Sequence, residues 1–276
     1  MRTVRFFLTS PAGIIGLVLL VLVLAMAASA GTLYPNDPLS LAGRPLQAPF
    51  VNPRFVLGTD SSGRDVAAQM FHGARTSLLI GISATLVAIV VGVLVGSISG
   101  YYGGWVDVTL MRITEAFQTV PNFILLLVLV VIFGARMDLL AFMIGLVSWT
   151  AVARLTRAEF LTLRQREFVQ ACRVLGMGDL RIIFREILPN ALPPVIVYAS
   201  IVMAFSILLE SALAFLGLSD PNVASWGKLI ADGRRVLRTA WYLATMPGLA
   251  VLIAVLSVSL IGQGINDALN PRLRRD

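Results

Sequence analysis

The chain has 276 residues, 57% of them hydrophobic and 13% charged, and 22 lysines and arginines against 15 acids leave a net charge of +7. A soluble domain carries about a quarter charged residues, so this composition, with a mean hydropathy of +0.85, excludes a soluble globular protein. The excess positive charge reads as membrane topology, and no nucleic-acid partner is expected.

A bilayer crossing takes about 20 apolar residues. Uncharged runs occupy 6–36, 76–106, 116–135, 139–153, 187–209 and 239–266. The fourth, with 15 residues, is the weakest and has to borrow Met137 or let Arg154 snorkel. The reading is an all-α integral membrane protein with six transmembrane helices.

At the N-terminus, Arg2 and Arg5 precede an apolar run that ends in Ala28-Ser29-Ala30, which has the form of a signal-peptidase site. The stretch 12–30 is long for a signal sequence and long enough to span. A retained signal anchor over 1–33 is expected, with cleavage as the alternative.

A polar, Pro-rich outer segment covers 34–75. Its end, Leu57-Gly58-Thr59-Asp60-Ser61-Ser62-Gly63-Arg64-Asp65, runs on to Phe71-His72-Gly73-Ala74-Arg75-Thr76-Ser77-Leu78. Asp60, Arg64 and Asp65 among glycines and serines suggest a turn locked by local ion pairs, followed by an interfacial helix. This unit would cap the outer face; direct substrate contact and a solvated loop are the alternatives. His72 reads as an interfacial structural residue. The two stretches closely resemble the signature of the C-type permease subunit of dipeptide, oligopeptide and nickel importers, carried here by Gly58, Thr59, Asp60, Gly63, Arg64 and Asp65.

In the second apolar run, Gly92, Gly96 and Gly100 make a face of small residues at four-residue spacing. Such a face lets helix backbones approach closely, either within the chain or against a partner subunit. Tyr101-Tyr102-Gly103-Gly104-Trp105 is an interfacial aromatic belt with a turn. Asp107, Arg112 and Glu115 mark a cytoplasmic helix in which Arg112 and Glu115 can pair. Pro121 opens the third membrane helix.

The longest charged interval follows the fourth run. Phe168, Ala171 or Cys172, and Leu175 recur at helical spacing. Gly176 and Gly178 offer positive-φ positions that end a helix, and Asp179 serves as N-cap of a second one. There Leu180, Ile183, Phe184 and Ile187 face one way and Arg181 and Arg185 the other, and Pro189 closes the unit. The product is a helix–turn–helix knuckle on a membrane surface, shaped to be gripped. Gln170-Ala171-Cys172, three residues, Gly176, then Ile187-Leu188-Pro189 resembles the EAA loop of ABC importer permeases. Gln170 stands where Glu is usual and Cys172 where the second Ala is usual. The resemblance implies that 157–190 is a coupling loop docking into a groove on a cytoplasmic ATPase, through Gln170, Ala171, Cys172, Leu175, Gly176, Gly178, Asp179 and Pro189.

The fifth membrane helix is expected to begin after Pro193-Pro194 and to end near Glu210. An acid with apolar sequence on both sides is a functional-site candidate. The resemblance extends to Glu210-x-x-Leu213-x-Phe215-Leu216-Gly217-Leu218. Glu210 either faces the translocation cavity, or pairs at a subunit interface, or meets water at the membrane surface. A second outer segment with Trp226, Lys228 and Asp232 follows; the resemblance implies that such loops meet a binding protein. The last helix leads to a basic tail at 267–276.

With both termini inside, thirteen lysines and arginines fall on the cytoplasmic side, seven of them from Arg154 to Arg185, against nine outside. That places the knuckle inside.

One cysteine, Cys172, and one histidine, His72, make a His/Cys metal site improbable, and no phosphate-binding Gly-x4-Gly-Lys-Ser/Thr loop occurs. No catalytic residue, cofactor or metal is assigned to the chain. The two resemblances cover nearly its whole length. They imply a type I ABC importer permease of MetI-like fold, with 76–266 as the core domain, that forms half of a translocation pathway for di- or oligopeptides. The implied partners are membrane lipid, a homologous B-type permease subunit, two ABC ATPase subunits, an extracytoplasmic substrate-binding protein and the peptide; nickel is the alternative cargo. A secondary transporter would want more intramembrane acids than Glu210, and no internal repeat is apparent.

Overall fold

The computed structural model describes residue 7 and residues 10–269, and it is all-helical apart from one isolated bridge between Thr59 and Asp65. The arginines expected at 2, 5, 272, 274 and 275, and most of the basic tail, lie outside the described residues.

Helix α1, Pro11–Leu33, starts where chemistry favours it: Pro11 occupies the first turn, and the Ser10 hydroxyl accepts from the Gly13 N–H. It runs along the last helix. A Cβ at Gly16 would sit 2.8 Å from Leu260 Cβ and 2.9 Å from the Ser257 carbonyl. Ala30, the last residue of the candidate cleavage site, is fully buried.

Helix α2, Val66–Tyr102, has 37 residues and so a length of about 55 Å, well beyond the ~30 Å hydrocarbon core. The interfacial helix expected after the Asp60–Asp65 turn and the second membrane helix are therefore one continuous element. The small-residue face of α2 packs inside the chain, against helix α5, Met137–Leu163. A Cβ at Gly92 would lie 2.7 Å from Val152 Cγ1, and one at Gly100 2.6 Å from Phe160 Cβ. At Gly96 it would run into the Ala153 carbonyl. In lipid no hydrophobic force draws helices together, so close contact of this kind supplies the attraction.

The third crossing is broken. Helix α3, Gly104–Thr119, and helix α4, Asn122–Phe133, meet at an angle of 81°. Pro121 sits between them and forces the extended conformation of Val120. Helix α4, through Leu126 and Val130, enters the core beside Leu140, Ile144 and Val147 of α5, whereas α3 buries Thr114 and sets Phe117 against Trp149 of α5. The fourth span, expected to be the weakest, is instead the central one. It begins at Met137, one of the two extensions open to its short apolar run, and 67% of its most apolar stretch is buried inside the protein. Protein neighbours cover most of it, so it needs less hydrophobicity.

Helix α6, Glu167–Val174, is short. Helix α7 then runs unbroken over Asp179–Phe215, so neither Pro189 nor Pro193-Pro194 bounds it. Prolines remove N–H donors, and a wider π-helical stretch at Ile182–Ile187 lies directly before them. Membrane helices accommodate prolines through such local rewinding. Helix α8, Trp226–Arg234, caps one end of the bundle, and helix α9, Tyr242–Leu269, completes it. With α3 and α4 taken as one bent crossing, six candidate spans are present among the described residues.

Candidate functional site

The knuckle grows out of the C-terminus of α5. Its first helix, α6, carries Glu167 in the first turn and Arg173 in the last, both favourable to the helix dipole. It ends in a Schellman motif: Met177 N–H donates to the Cys172 carbonyl at 3.1 Å and Gly176 N–H to the Arg173 carbonyl at 2.9 Å. Gly176 takes φ +72, a left-handed conformation that a side chain would strain. Gly178 behaves otherwise. Its φ is −67 and it occupies the N-cap position of α7, so Asp179 is the first helical residue rather than the cap. With no capping duty, the Asp179 carboxylate accepts a 2.6 Å hydrogen bond from the Tyr101 hydroxyl.

The apolar residues of the knuckle divide into two surfaces. Val169, Ile182, Ile183 and Ile187 are buried with Tyr101 and Phe160, and Cys172 and Met177 pack against them. The outward surface holds Phe168, Val174, Leu175, Leu180 and Phe184, with Val174 88% and Leu175 79% exposed. Of the stripe expected through Phe168, Ala171 or Cys172, and Leu175, the version through Ala171 lies on the outward surface, while Cys172 turns inward. The π-helical winding also changes the second helix, turning Ile182 inward and leaving Leu180 and Phe184 outside. Gln170 and Ala171 are exposed, and the Gln170 amide donates to the Arg164 carbonyl at 3.3 Å. Cβ atoms added at Gly176 or Gly178 would meet nothing within 4 Å. The knuckle therefore presents small, apolar, open relief around a fixed turn. Pro189 is exposed on the first regular turn of α7.

A network beneath this relief was not legible in the sequence. Arg164 Nη1 donates to the carbonyls of Gly100 and Tyr101 at 3.1 and 3.2 Å, and the Arg173 guanidinium lies 5.4 Å from the Tyr101 ring centre. Arg157 holds Asp107 with both Nε and Nη2, at 2.5 and 2.6 Å, and Ser99 also donates to Asp107. The available signals were a charged residue shortly after a membrane helix and an aromatic at its end. Arg112 and Glu115 do pair as expected, at 3.0 Å, on the exposed side of α3.

The opposite end of the bundle carries the Gly58–Asp65 signature. Gly58 and Gly63 have φ +80 and +86, and a Cβ at either would strike the Gln47 or Gly43 carbonyl. The Thr59 hydroxyl donates to Arg44 O at 2.6 Å and accepts from Gln47 N at 2.9 Å. The expected ion pairs are absent among the described residues. Asp60 instead accepts from the N–H groups of Ser62 and Arg64 at 2.8 and 2.9 Å and from the Gln69 amide at 3.0 Å. Asp65 caps α2 by accepting from Ala67 N at 2.8 Å, and burial pushes its carboxyl above the usual range. The Tyr242 hydroxyl reaches the carbonyls of Gln47 and Thr59, tying the loop to α9. His72 Nε2 lies 2.9 Å from Tyr34 O, beside the end of α1.

Glu210 lies near this end of α7 and is only 2% exposed. Ser77 of α2 and Ser211 donate to it at 3.4 Å, and Ser225, the N-cap of α8, lies beside it. The chain itself encloses this carboxylate, with Thr76, Ile80 and Met137 nearby.

The model of the binding-protein-dependent transport system inner membrane components matches residues 92–275, which span the whole knuckle. The chain belongs to this family. The di/tripeptide transport system permease protein DppC of Pseudomonas aeruginosa (strain UCBPP-PA14) is 38% identical over 222 residues, 80% of this chain and 73% of that one. The oligopeptide transport system permease protein OppC of Haemophilus influenzae is 37% identical over 228 residues, 82% of this chain and 73% of that one. A chain of the methionine ABC transporter MetNI, solved in inward-facing conformations, superposes with a TM-score of 0.56 at 15% identity, over 73% of this chain and 97% of that chain. That likeness establishes the shared fold. This permease is a multi-pass membrane protein and the membrane subunit of an ABC importer.

Proposed function

We propose that this permease forms half of a translocation path for di- and oligopeptides, completed by a homologous B-type permease subunit. Two ATPase subunits engage the knuckle on the cytoplasmic side, and an extracytoplasmic binding protein delivers cargo at the Gly58–Asp65 end. Both chain termini face the cytoplasm. The permease carries out no covalent chemistry of its own. ATP hydrolysis belongs to its partners, and the knuckle converts their closure into alternating access. An ATPase can bias that equilibrium only by binding one state better than the other, which requires a rigid, complementary handle.

The observation that carries this reading is the outward apolar relief of the knuckle. Val174, Leu175 and Leu180 are 88%, 79% and 68% exposed beside a turn fixed by the Gly176 cap. Peptide as cargo is supported by the names of the relatives. The test is Leu175→Asp in the complete transporter, co-expressed with its ATPases. The chain should remain in the membrane while the ATPases no longer co-purify. Reporter fusions within 154–185 should read cytoplasm, and a fusion at Ser62 the outside. Retained ATPase binding, or an outside signal from 154–185, overturns the assignment. Reconstituted vesicles should take up labelled trialanine on ATP addition; uptake of nickel alone would reassign the cargo.

A further inference from the structure

Three parts of the knuckle converge on one residue that is not in it. Arg164, just before α6, donates to the Tyr101 carbonyl at 3.2 Å. Arg173, in the last turn of α6, places its guanidinium 5.4 Å from the Tyr101 ring centre. Asp179, at the start of α7, accepts the Tyr101 hydroxyl at 2.6 Å. Tyr101 is the penultimate residue of α2 and is 5% exposed.

The chain itself joins the knuckle to α5 and α7, but to α2 it is joined only through such contacts. Helix α2 is also the element best placed to carry motion onward. It is stacked on α5 through the Gly92, Gly96 and Gly100 face. At its far end, Ser77 bonds Glu210 of α7 and the Met70 carbonyl accepts from Trp226 Nε1 of α8 at 2.9 Å. Between Ser77 and Tyr101 it is a stiff rod of about 36 Å. Helices α2 and α7 are thus clasped near both ends, with Tyr101–Asp179 the clasp on the knuckle side.

We infer that Tyr101 and Asp179 are positioning residues that pass displacement of the knuckle to α2, so that ATPase closure moves α2 together with α7. This rests on the knuckle being the ATPase-docking element. A phenol–carboxylate bond suits the task because it is charge-assisted, short and directional. The aromatic ring held by Arg173 and the backbone held by Arg164 keep its donor in place.

The test uses the assembled transporter with its ATPases, reading amide hydrogen exchange with and without a non-hydrolysable ATP analogue, and cargo carried per ATP hydrolysed. In the unmodified protein, nucleotide should change protection both in α6 and at 97–102 of α2. In Tyr101→Phe, at a buried residue outside the knuckle, the α6 response should persist while the response at 97–102 is lost, and Asp179→Ala should likewise lose the response at 97–102. Cargo per ATP should fall by about fivefold or more, the scale of an ordinary coupling interaction. Asp179→Asn keeps the accepting oxygen and should restore both. The double variant should be no worse than either single one. An unchanged response at 97–102 in both single variants, or additive losses in the double, overturns the inference. Absence of any nucleotide response in α6 of the unmodified protein would instead remove the docking reading beneath it. Asp179 is exposed, so its two variants decide the matter even if Tyr101→Phe does not assemble.

Discussion

Arg157 of α5 grips Asp107 of α3 with two nitrogens, at 2.5 and 2.6 Å, across 50 residues of sequence. The pair fixes the elbow where α2 turns into α3, and Ser99 adds a third donor to the same carboxylate. Side-chain exposure of 33% and 15% leaves it partly screened by solvent. Asp107→Ala should therefore cost about 2 kcal/mol, the scale of hydrogen bonds to a charged group. It should lower the thermal midpoint of the purified protein and open 103–107 to protease. Asp107→Asn, which keeps one accepting oxygen, should lose less. Equal midpoints for Asp107→Ala and the unmodified protein would show that packing alone holds α3.

The stacking of α2 on α5 gives a sharper contrast. A side chain at Gly96 has no space, since its Cβ would lie 2.7 Å from Thr156 Cβ and overlap the Ala153 carbonyl. Gly96→Leu should cost about 3 kcal/mol or more through overpacking and reduce the amount of protein recovered from the membrane. Gly248→Ala, in α9 where nothing lies within 4 Å, should be neutral or slightly stabilising by helix propensity. If the two variants are recovered equally, the small-residue face is not a packing requirement.

Gly176→Val tests the cap of the knuckle. At φ +72 a branched side chain is strained, although space around it is open, so the cost is conformational and about 1–2 kcal/mol. The substitution should leave the protein in the membrane and weaken ATPase association. An Ala171→Cys probe in a Cys172→Ser background reports the same surface, since Ala171 is exposed. Its labelling by an impermeant maleimide should fall when the ATPases are present. Normal transport by Gly176→Val together with ATPase-independent labelling would rule the knuckle out as the docking element.

Glu210 is enclosed by Ser77, Ser211 and Ser225, so replacement by an isosteric amide should be tolerated. Glu210→Gln should fold and assemble, its amide oxygen accepting from hydroxyls and its nitrogen donating to them. Glu210→Leu strands the Ser77 and Ser211 hydroxyls and should cost about 1–2 kcal/mol, read as a lower midpoint and looser packing of α8. If Glu210→Gln abolishes transport while its assembly is intact, the carboxylate acts on cargo or the path rather than as a clasp.

The sequence alone determined what depends on composition and on near neighbours. The apolar runs mark the spans because lipid tolerates nothing else. Gly176 ends a helix and Arg112 meets Glu115 because both relations lie within one helical turn, and the Gly92–Gly96–Gly100 face is readable because helical spacing repeats it. Tertiary structure decided everything that turned on which partner a group finds. Pro193-Pro194 reads as a helix start only until the π-helical stretch at Ile182–Ile187 is seen before it. Asp60 reads as an ion-pair residue until the N–H groups of Ser62 and Arg64 are seen to occupy it. Tyr101 and Asp179 stand 78 residues apart, and no periodicity connects them. A hydrogen bond forms where the packed helices bring two groups within about 3 Å, and that meeting depends on the path of the whole chain.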